Sequence, residues 1–518
     1  MKKANVCDNW PDTPGAITEL DNIGPPRWNV AFETLTGDVL LEIFDLYLDK
    51  DENMDPWYAP DNEEDERHSY DAWYALVHVC QRWRYVVFES PRHLNLRLHC
   101  SRRRVREMLD VWPAALPIVI WDIVDLTSDE DNIIAALEHR DRVCEIKLGR
   151  LTRLQLEKLV PLMQESFPAL TKLQIESHDE LLASDALLVL PNSFLGGSAP
   201  HLRFLCLESI SFPAIPNLLR SASNLVYLYL HGTPSRYISP EMVAALSSLT
   251  KLEVMHIFFH SLNSNSDLED RAPPLLTRSV LPALKSLVIG GNGEYLDDFV
   301  ALIDVPSINS LRIYFFNRLF FTGGFLHLPQ FIGRIKKFRS FDFARFDLSH
   351  HFMDVTLQRW TRGSLPEALQ LKIFGDIDGP LPSLVEACNT LLPLFKIDNF
   401  DISSQYLYPD RQFESTGNTE DRQWLEVLRQ LSGAKSLYLG SMDLVPPVAL
   451  ALKQVVEEGM TDVLPAIREL TISKPLSAGP AREAIEQFVT ARGLSTFGTP
   501  PFSKWRISAR GTHEGREL

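Results

Sequence analysis

The segment Leu225-Val226-Tyr227-Leu228-Tyr229-Leu230 places apolar residues at its first, fourth and sixth positions. The same spacing recurs along most of the chain, and the middle apolar residue marks the place of each phrase. These middle residues are Ile146, Leu173, Leu205, Leu228, Leu252, Leu287, Leu311, Phe341, Leu371, Phe395, Leu437 and Leu470. Alternating apolar positions over a short segment are typical of a strand with one buried face. The sequence therefore predicts one strand repeated many times.

The phrases recur about every 29 residues, at the long end of the ~20 to 29 residues of leucine-rich repeats. Between them, segments such as Ile215–Ser221 and Pro240–Leu246 are predicted to return the chain to the next strand as a helix or loop. One repeat cannot bury its own apolar face, whereas stacked repeats share a continuous core. The predicted fold class is α/β: residues 92–500 form an irregular leucine-rich-repeat solenoid with a parallel sheet on its concave face.

A different periodicity precedes the repeats, in residues 31–90. Leu40, Ile43, Phe44 and Tyr47 fall on one face of a helix, and a second helical run between residues 73 and 87 ends before Pro91. These two runs predict a small helical unit ahead of the solenoid. An acidic insertion, residues 49–66, separates them and is predicted to be a mobile loop because its charges repel one another. Residues 1–30 and 501–518 are predicted to be tails.

Composition limits the class of partner. The net charge of −17 argues against a general binder of nucleic acid or anionic membranes, which needs surplus Lys and Arg. Residues 1–10 have no apolar core of a secretion signal, and no segment approaches ~18 consecutive apolar residues. Six cysteines without a Cys-x-x-Cys pair favour reduced thiols. We therefore expect an intracellular protein, cytoplasmic, nuclear or both, with no nucleic-acid or membrane partner.

Motifs of catalysis and metal binding are missing from the sequence, which contains no Gly-x-Ser-x-Gly, no phosphate-binding loop and no His-Glu-x-x-His. The acidic insertion begins like a calcium loop, but Met54 and Pro60 stand where that loop requires Gly and Glu. The segment Gly290-Gly291-Asn292-Gly293 is predicted to be a turn after a repeat strand. The sequence predicts a non-catalytic protein with no cofactor and no metal site.

The helical unit carries a specific resemblance. Leu35-Thr36-Gly37-Asp38-Val39-Leu40-Leu41-Glu42-Ile43-Phe44, followed by Leu76-Val77-His78-Val79-Cys80-Gln81-Arg82-Trp83, resembles the F-box motif. Thr36 stands where the family usually has proline and Asp38 where it usually has glutamate, and both changes leave the apolar face intact. With the repeats added, residues 30 to 480 resemble the F-box proteins with leucine-rich repeats that are abundant in mushroom-forming (basidiomycete) fungi.

This resemblance implies the substrate-recognition subunit of an SCF-type cullin ubiquitin ligase. Its F-box would bind the Skp-type adaptor, and its repeats would bind a protein target. The positions that match the motif are Leu35, Leu40, Ile43, Phe44, Val79, Cys80 and Trp83. These residues, together with Leu76, are the expected adaptor-binding residues. Two alternatives stay open: a repeat scaffold or sensor that acts outside the ubiquitin system, and an enzyme with a cleft between the two regions.

Target binding is assigned to the other face of the predicted sheet. Side chains alternate along a strand, so residues between and after the core positions face away from the core. Aromatic, Met and Arg side chains concentrate binding energy at interfaces. The expected target-binding residues are Tyr229, His231, Met255, Arg312 and Tyr314.

Overall fold

A computed structural model describes the chain in fifteen stretches that cover most of the repeats. They are residues 35–48, 72–90, 94, 97–100, 105–122, 130–177, 188–234, 240–260, 278–316, 326–349, 352–359, 368–374, 381–404, 419–494 and 496–498. The predicted tails and the acidic insertion, residues 49–66, lie outside this description. The chain divides into two compact units, the first reaching Arg97 and including Pro113–Leu116, the second formed by Leu98–Trp112 and everything from Pro117.

Three helices form the described part of the first unit: α1 Gly37–Leu48, α2 Ala72–Val79 and α3 Gln81–Glu89. Thr36 accepts a hydrogen bond from the N–H of Val39 at the start of α1, which satisfies an N–H that the helix leaves open. The Sγ of Cys80 caps α3 in the same way. The rings of Phe44 on α1 and Trp83 on α3 lie 4.8 Å apart.

Within the described residues, the second unit contains a sixteen-stranded sheet and two sheets of two strands each. In chain order the strands are β1 Leu98–His99, β2 Ile118–Asp122, β3 Val143–Leu151, β4 Lys172–Ser177, β5 Leu188–Val189, β6 Phe204–Glu208, β7 Ile210–Ser211, β8 Tyr227–Pro234, β9 Val254–His260, β10 Ser279–Val280, β11 Ser286–Gly291, β12 Ile303–Asp304, β13 Ser310–Phe315, β14 Phe343–Leu348, β15 Phe352–Gln358, β16 Ala368–Phe374, β17 Asn399–Ser404, β18 Ser436–Leu439, β19 Glu469–Ile472 and β20 Thr496–Gly498. The large sheet has the order β1-β2-β3-β4-β6-β8-β9-β11-β13-β16-β15-β14-β17-β18-β19-β20, and β5-β7 and β10-β12 form two small sheets.

Helices connect many of these strands. They are α4 Val105–Val111, α5 Glu130–Leu137, α6 Arg153–Leu159, α7 Ile215–Ser221, α8 Pro240–Leu246, α9 Gly293–Ala301, α10 Leu328–Arg334, α11 Leu381–Leu391, α12 Thr419–Gln430, α13 Val445–Glu457 and α14 Pro480–Arg492. Helices of successive repeats pack side by side, as α12 does with α13 and α13 with α14. The predicted α/β class is confirmed, with a mostly parallel, solenoid-like sheet of the leucine-rich-repeat kind. No helix among the described residues is long and apolar enough to span a membrane.

The start of most repeat strands is fixed by one backbone arrangement. Two consecutive N–H groups, such as those of Val226 and Tyr227, donate to a single carbonyl of the preceding repeat, here that of Arg203, at 2.8 and 3.0 Å. The carbonyls shared in this way belong to Thr171, Arg203, Val226, Glu253, Lys285, Asp342, Asp398 and Lys435. We call this series the shared-carbonyl ladder. It aligns the first residue of one strand with that of the next.

One part of the sheet departs from a simple progression. After β13 the chain passes over two positions, forms β14, and returns through β15, which is antiparallel to both of its neighbours. β16 then fills the place beside β13, and β17 continues from the far side of β14. Sequence spacing predicts no strand at β15, because a search for one recurring phrase does not detect a hairpin inserted between repeats.

In four phrases, the strand register shows that the residue at the middle position differs from the predicted one. The residues that align with the middle leucines of neighbouring strands are Met255, Ala344, Leu369 and Phe400, in place of Leu252, Phe341, Leu371 and Phe395. Overlapping apolar residues cause this error, since Leu249/Leu252/Val254 and Leu252/Met255/Ile257 satisfy the same spacing. Met255 has 0% of its surface exposed, so its assignment to target binding is wrong.

The corrected phase is tested by two neighbouring truncations. We expect Met255→Ala to lower the free energy of unfolding by about 2 to 5 kcal/mol, because it leaves a cavity in the core. Glu253→Ala removes only an exposed ion pair with Lys285 and is expected to cost less than about 1 kcal/mol. Urea unfolding of the full chain measures both. Equal losses would place Met255 outside the core.

Candidate functional site

The sheet face opposite the buried leucines is built from residues that the register aligns into rows. One row, which we call the central row, consists of Glu176, Glu208, His231, Phe258, Gly290, Tyr314, Lys372, Asp354, Asp347 and Ser403. The neighbouring row contains Cys206, Tyr229, His256, Val288, Arg312 and Gln370. We call the face that carries both rows the open face. Four predicted target-binding residues lie on it, namely Tyr229, His231, Arg312 and Tyr314.

Aromatic side chains line the open face along the strands from β6 to β15, with Gly290 on β11 between them. The ring pairs and their centroid distances are Phe204–Tyr227 (4.5 Å), Tyr227–His256 (5.8 Å), Tyr229–His256 (5.8 Å), Tyr229–Phe258 (6.2 Å), His231–Phe258 (5.2 Å), Phe258–Tyr314 (5.6 Å), Phe258–Phe316 (6.3 Å), Tyr314–Phe374 (6.1 Å) and Phe352–Phe374 (6.4 Å). These ten residues form one connected series, which we call the aromatic ribbon. Apart from Tyr227, which is 6% exposed, the rings are half-buried and leave apolar area for a partner.

Gly290 makes the ribbon continuous. It lies in the central row between Phe258 and Tyr314, and the ring of Phe258 occupies the space above it. A Cβ at Gly290 would stand 2.3 Å from Cδ1 of Phe258 and 3.1 Å from Cζ of Phe316. The turn predicted here is wrong for Gly290 and Gly291, which end strand β11. The glycine is needed because two rings from adjacent repeats meet over its backbone.

Two lysines border the ribbon. The Nζ of Lys372 lies 4.2 Å from the ring centre of Phe352 and 5.0 Å from that of Phe374. At the other end, the Nζ of Lys172 lies 5.1 Å from the ring centre of Phe204. Cations at these distances are attracted to the negative faces of the rings. They hold the terminal rings in place and add positive charge to both ends of the ribbon.

The middle of the ribbon combines a neutral histidine with an exposed arginine. Burial, reinforced by the positive charge of Arg312, lowers the pKa of His256 to about 4. His256 is therefore uncharged at neutral pH and acts as a further ring rather than as a cation. Arg312 is exposed, and its partners in the row are Val288 and Gln370. Among the described residues, no carboxylate forms an ion pair with Arg312.

Charged side chains follow the ribbon on β15, β14 and β17. Asp354 accepts a hydrogen bond from Gln370 at 2.5 Å, Asp347 accepts one from Ser403, and Arg345 Nη2 lies 2.8 Å from Asp401 Oδ2. Burial raises the pKa of Asp354 to about 6, although Gln370 opposes this shift. In the described part of the chain, no group of three or more His, Cys, Asp or Glu is arranged to hold a metal ion.

The first unit presents a second apolar surface, which differs from the expected one. Among the expected adaptor-binding residues, Leu40, Phe44 and Leu76 are buried, Leu35 and Trp83 are half-buried, and Ile43, Val79 and Cys80 are exposed. Leu40 and Phe44 have 0% of their surface exposed, so they stabilise the unit and are not available to a partner. Helix α1 instead exposes Val39, Ile43, Leu46 and Tyr47. These four residues lie about one turn apart, and we call them the outer stripe.

Several ribbon residues are not among those expected from the sequence. His256 and Phe258 are missed because the phrase before them is out of phase. Phe352 is missed although its segment, Phe352–Gln358, alternates apolar and polar residues from Met353 to Gln358, which is a signal for a strand. Phe204 and Tyr227 each come directly before a middle leucine. A search of the positions before these leucines, as well as after them, would also have identified both residues.

Comparisons with known proteins add little to this description. No protein-family model matches the chain, and no curated protein matches it. One solved structure that it matches is the leucine-rich repeat-containing protein LegL7 from Legionella pneumophila, at 9% sequence identity and a TM-score of 0.21. That match covers 78% of this chain and 99% of LegL7. The description of the open face therefore depends on the geometry of this chain's own residues.

The environment of Asp354 gives the charged end a defined pH dependence. Its pKa of about 6 lies above the ordinary 3.8, so between pH 4 and 6 the folded chain binds more protons than the unfolded chain. The stability that Asp354 contributes is complete below its ordinary pKa of 3.8 and is lost as the pH rises through about 6. The Asp354→Asn variant stays uncharged. We expect its free energy of unfolding to rise, relative to that of the wild type, by up to about 3 kcal/mol between pH 4 and pH 7. Urea unfolding at both pH values measures the difference. A constant difference would show that Asp354 ionises as it does in water.

Proposed function

We propose that this chain is the substrate-recognition subunit of an SCF-type cullin ubiquitin ligase, of the kind abundant in basidiomycete fungi. In this proposal the first unit is an F-box that binds a Skp-type adaptor, and the open face of the second unit binds a protein target. The observation that carries the proposal is the F-box-like sequence in residues 35–44 and 76–83, placed directly before a long repeat sheet with an aromatic binding face.

The division of the first unit into a closed interior and exposed apolar residues supports the F-box role. Leu40 and Phe44 close the interior, with Phe44 against Trp83, while Ile43 and Val79 remain 41% and 58% exposed. Clustered exposed apolar side chains on a unit this small favour a partner, because contiguous apolar surface is costly in water. A helix that presents residues three and four apart is suited to docking in a groove of another protein.

The proposed mechanism is proximity and needs no chemistry from this chain. A target held on the open face would lie beside a ubiquitin-conjugating enzyme brought in through the adaptor. Transfer between two bound partners then proceeds almost as an intramolecular reaction, with a high effective concentration. This is why the proposal assigns no catalytic residue and no cofactor.

A co-purification with a recombinant fungal Skp-type adaptor tests the proposal. The variant Ile43→Asp with Val79→Asp places charges on exposed positions, so the unit should still fold. We expect the wild type to recover the adaptor and this double variant to lose most of it, because the charges would be buried in the contact.

A matched control carries the same chemistry elsewhere. Val189 and Leu450 in the second unit are 58% and 48% exposed, and Val189→Asp with Leu450→Asp is expected to recover the adaptor fully. Thermal melts check that each variant is folded. Recovery of the adaptor by the Ile43/Val79 variant, or its absence with the wild type, contradicts the proposal.

The alternative is a repeat scaffold or sensor outside the ubiquitin system, and the aromatic ribbon favours it as much as the receptor. That alternative is distinguished by a stable protein partner that is lost when Tyr229 and Tyr314 are changed to Ala, together with no recovery of the adaptor by the wild type.

A further inference from the structure

We infer that the open face binds an extended polypeptide segment in which an acidic side chain, seated on Arg312, is flanked by apolar side chains packed on the aromatic ribbon. This inference deepens the proposed function, since it states the chemistry of the target that the receptor would hold. It rests on four features of the ribbon: its length, its apolar character, its continuity over Gly290 and the charge at its middle.

The length of the ribbon suits a short extended segment. It crosses seven strands that are consecutive in the sheet, β6, β8, β9, β11, β13, β16 and β15, of which β11 contributes Gly290 and the others the rings. Six spacings of ~4.8 Å give about 29 Å, and an extended chain covers that distance with about nine residues at ~3.3 Å each. A segment of this length therefore spans all seven strands.

The rings select apolar side chains. Phe258 lies over Gly290 and contacts both Tyr314 and Phe316, so rings from neighbouring repeats meet at the centre of the ribbon. His256 belongs to this group of rings because its pKa of about 4 leaves it uncharged at neutral pH. Large flat rings at the middle of an interface supply much of its binding energy. An aromatic or aliphatic side chain of the segment gains most by lying here.

The charge at Arg312 selects an acidic side chain. The other cation at this part of the face, Lys372, is aligned with Asp354 on β15 and lies over the rings of Phe352 and Phe374. Arg312 is exposed, is aligned with uncharged Val288 and Gln370, and makes no ion pair with a described carboxylate. A carboxylate of the segment would meet a guanidinium fork that suits it, beside apolar surface that excludes water.

Geometry also relates the two requirements. Arg312 on β13 lies two strands from His256 on β9 in the same row, or about 10 Å, and two residues from Tyr314 on its own strand, or about 7 Å. At ~3.3 Å per residue, apolar side chains are therefore expected about two to three positions from the acidic one.

The test uses fluorescein-labelled nonapeptides of Gly and Ser that carry Asp, Asn or Lys at the centre and either Phe or Ser two positions away on each side. Anisotropy titrations with the full chain are expected to show the Asp/Phe peptide binding at least ten-fold tighter than the Lys/Phe peptide. The Asn/Phe peptide should lie between them, and the Asp/Ser peptide should bind at least ten-fold more weakly than Asp/Phe.

Charge reversal makes the assignment specific to one residue. Arg312→Glu is expected to invert the order, so that the Lys/Phe peptide binds tighter than Asp/Phe. Lys336→Glu, an exposed reversal in the 3-10 turn Lys336–Ser340, is expected to leave the order unchanged. Tyr314→Ala should remove the preference for Phe over Ser while keeping that for Asp over Lys. Thermal melts confirm that each variant is folded.

Equal affinities for the Asp and Lys peptides, an unchanged order in Arg312→Glu, or no binding of any peptide would each overturn the inference. These outcomes are separate from the test of the proposed function. A chain that recovers the adaptor but shows no preference among the peptides loses only this inference. A chain that prefers Asp/Phe but recovers no adaptor keeps the binding face and loses the ubiquitin-ligase role.

Discussion

A backbone carbonyl shared by two consecutive N–H groups is the interaction on which the second unit depends. It recurs from Thr171 to Lys435 and fixes where most repeat strands begin. Because the strands begin in register, each leucine aligns with leucines of its neighbours, and each residue of the opposite face aligns into a row. The aromatic ribbon follows from this alignment, since its rings are distant in sequence and touch only because the rows bring them together.

The sequence predicts the repeat but not every phase of it. Spacing alone identifies most of the strands, because a leucine at each middle position has no competing interpretation. It fails at Met255, where two overlapping sets of apolar residues satisfy the same spacing, and only backbone pairing decides between them. It also fails at Phe352–Gln358, a strand of an inserted antiparallel hairpin, because a hairpin does not repeat the spacing of its neighbours.

A similar limit applies to the two binding surfaces. Helical periodicity identifies an apolar face on Gly37–Leu48, yet it does not say which apolar residues close the unit and which remain outside. Packing against Trp83 buries Phe44, and Ile43 one residue earlier stays exposed. On the sheet, alternation locates Tyr229, Arg312 and Tyr314, whereas the role of Gly290 depends on two rings from other repeats and has no signal in its own segment.

We propose that two separate surfaces of this chain bind different partners: the outer stripe with Val79 binds an adaptor, and the open face binds a target. Hydrogen–deuterium exchange of the full chain, with and without a purified Skp-type adaptor, tests it most directly. We expect the adaptor to slow amide exchange in Gly37–Leu48 and Ala72–Val79 and to leave exchange in Ser286–Gly291 and Ser310–Phe315 unchanged. Protection confined to those two strands, or none in either helix, would contradict it.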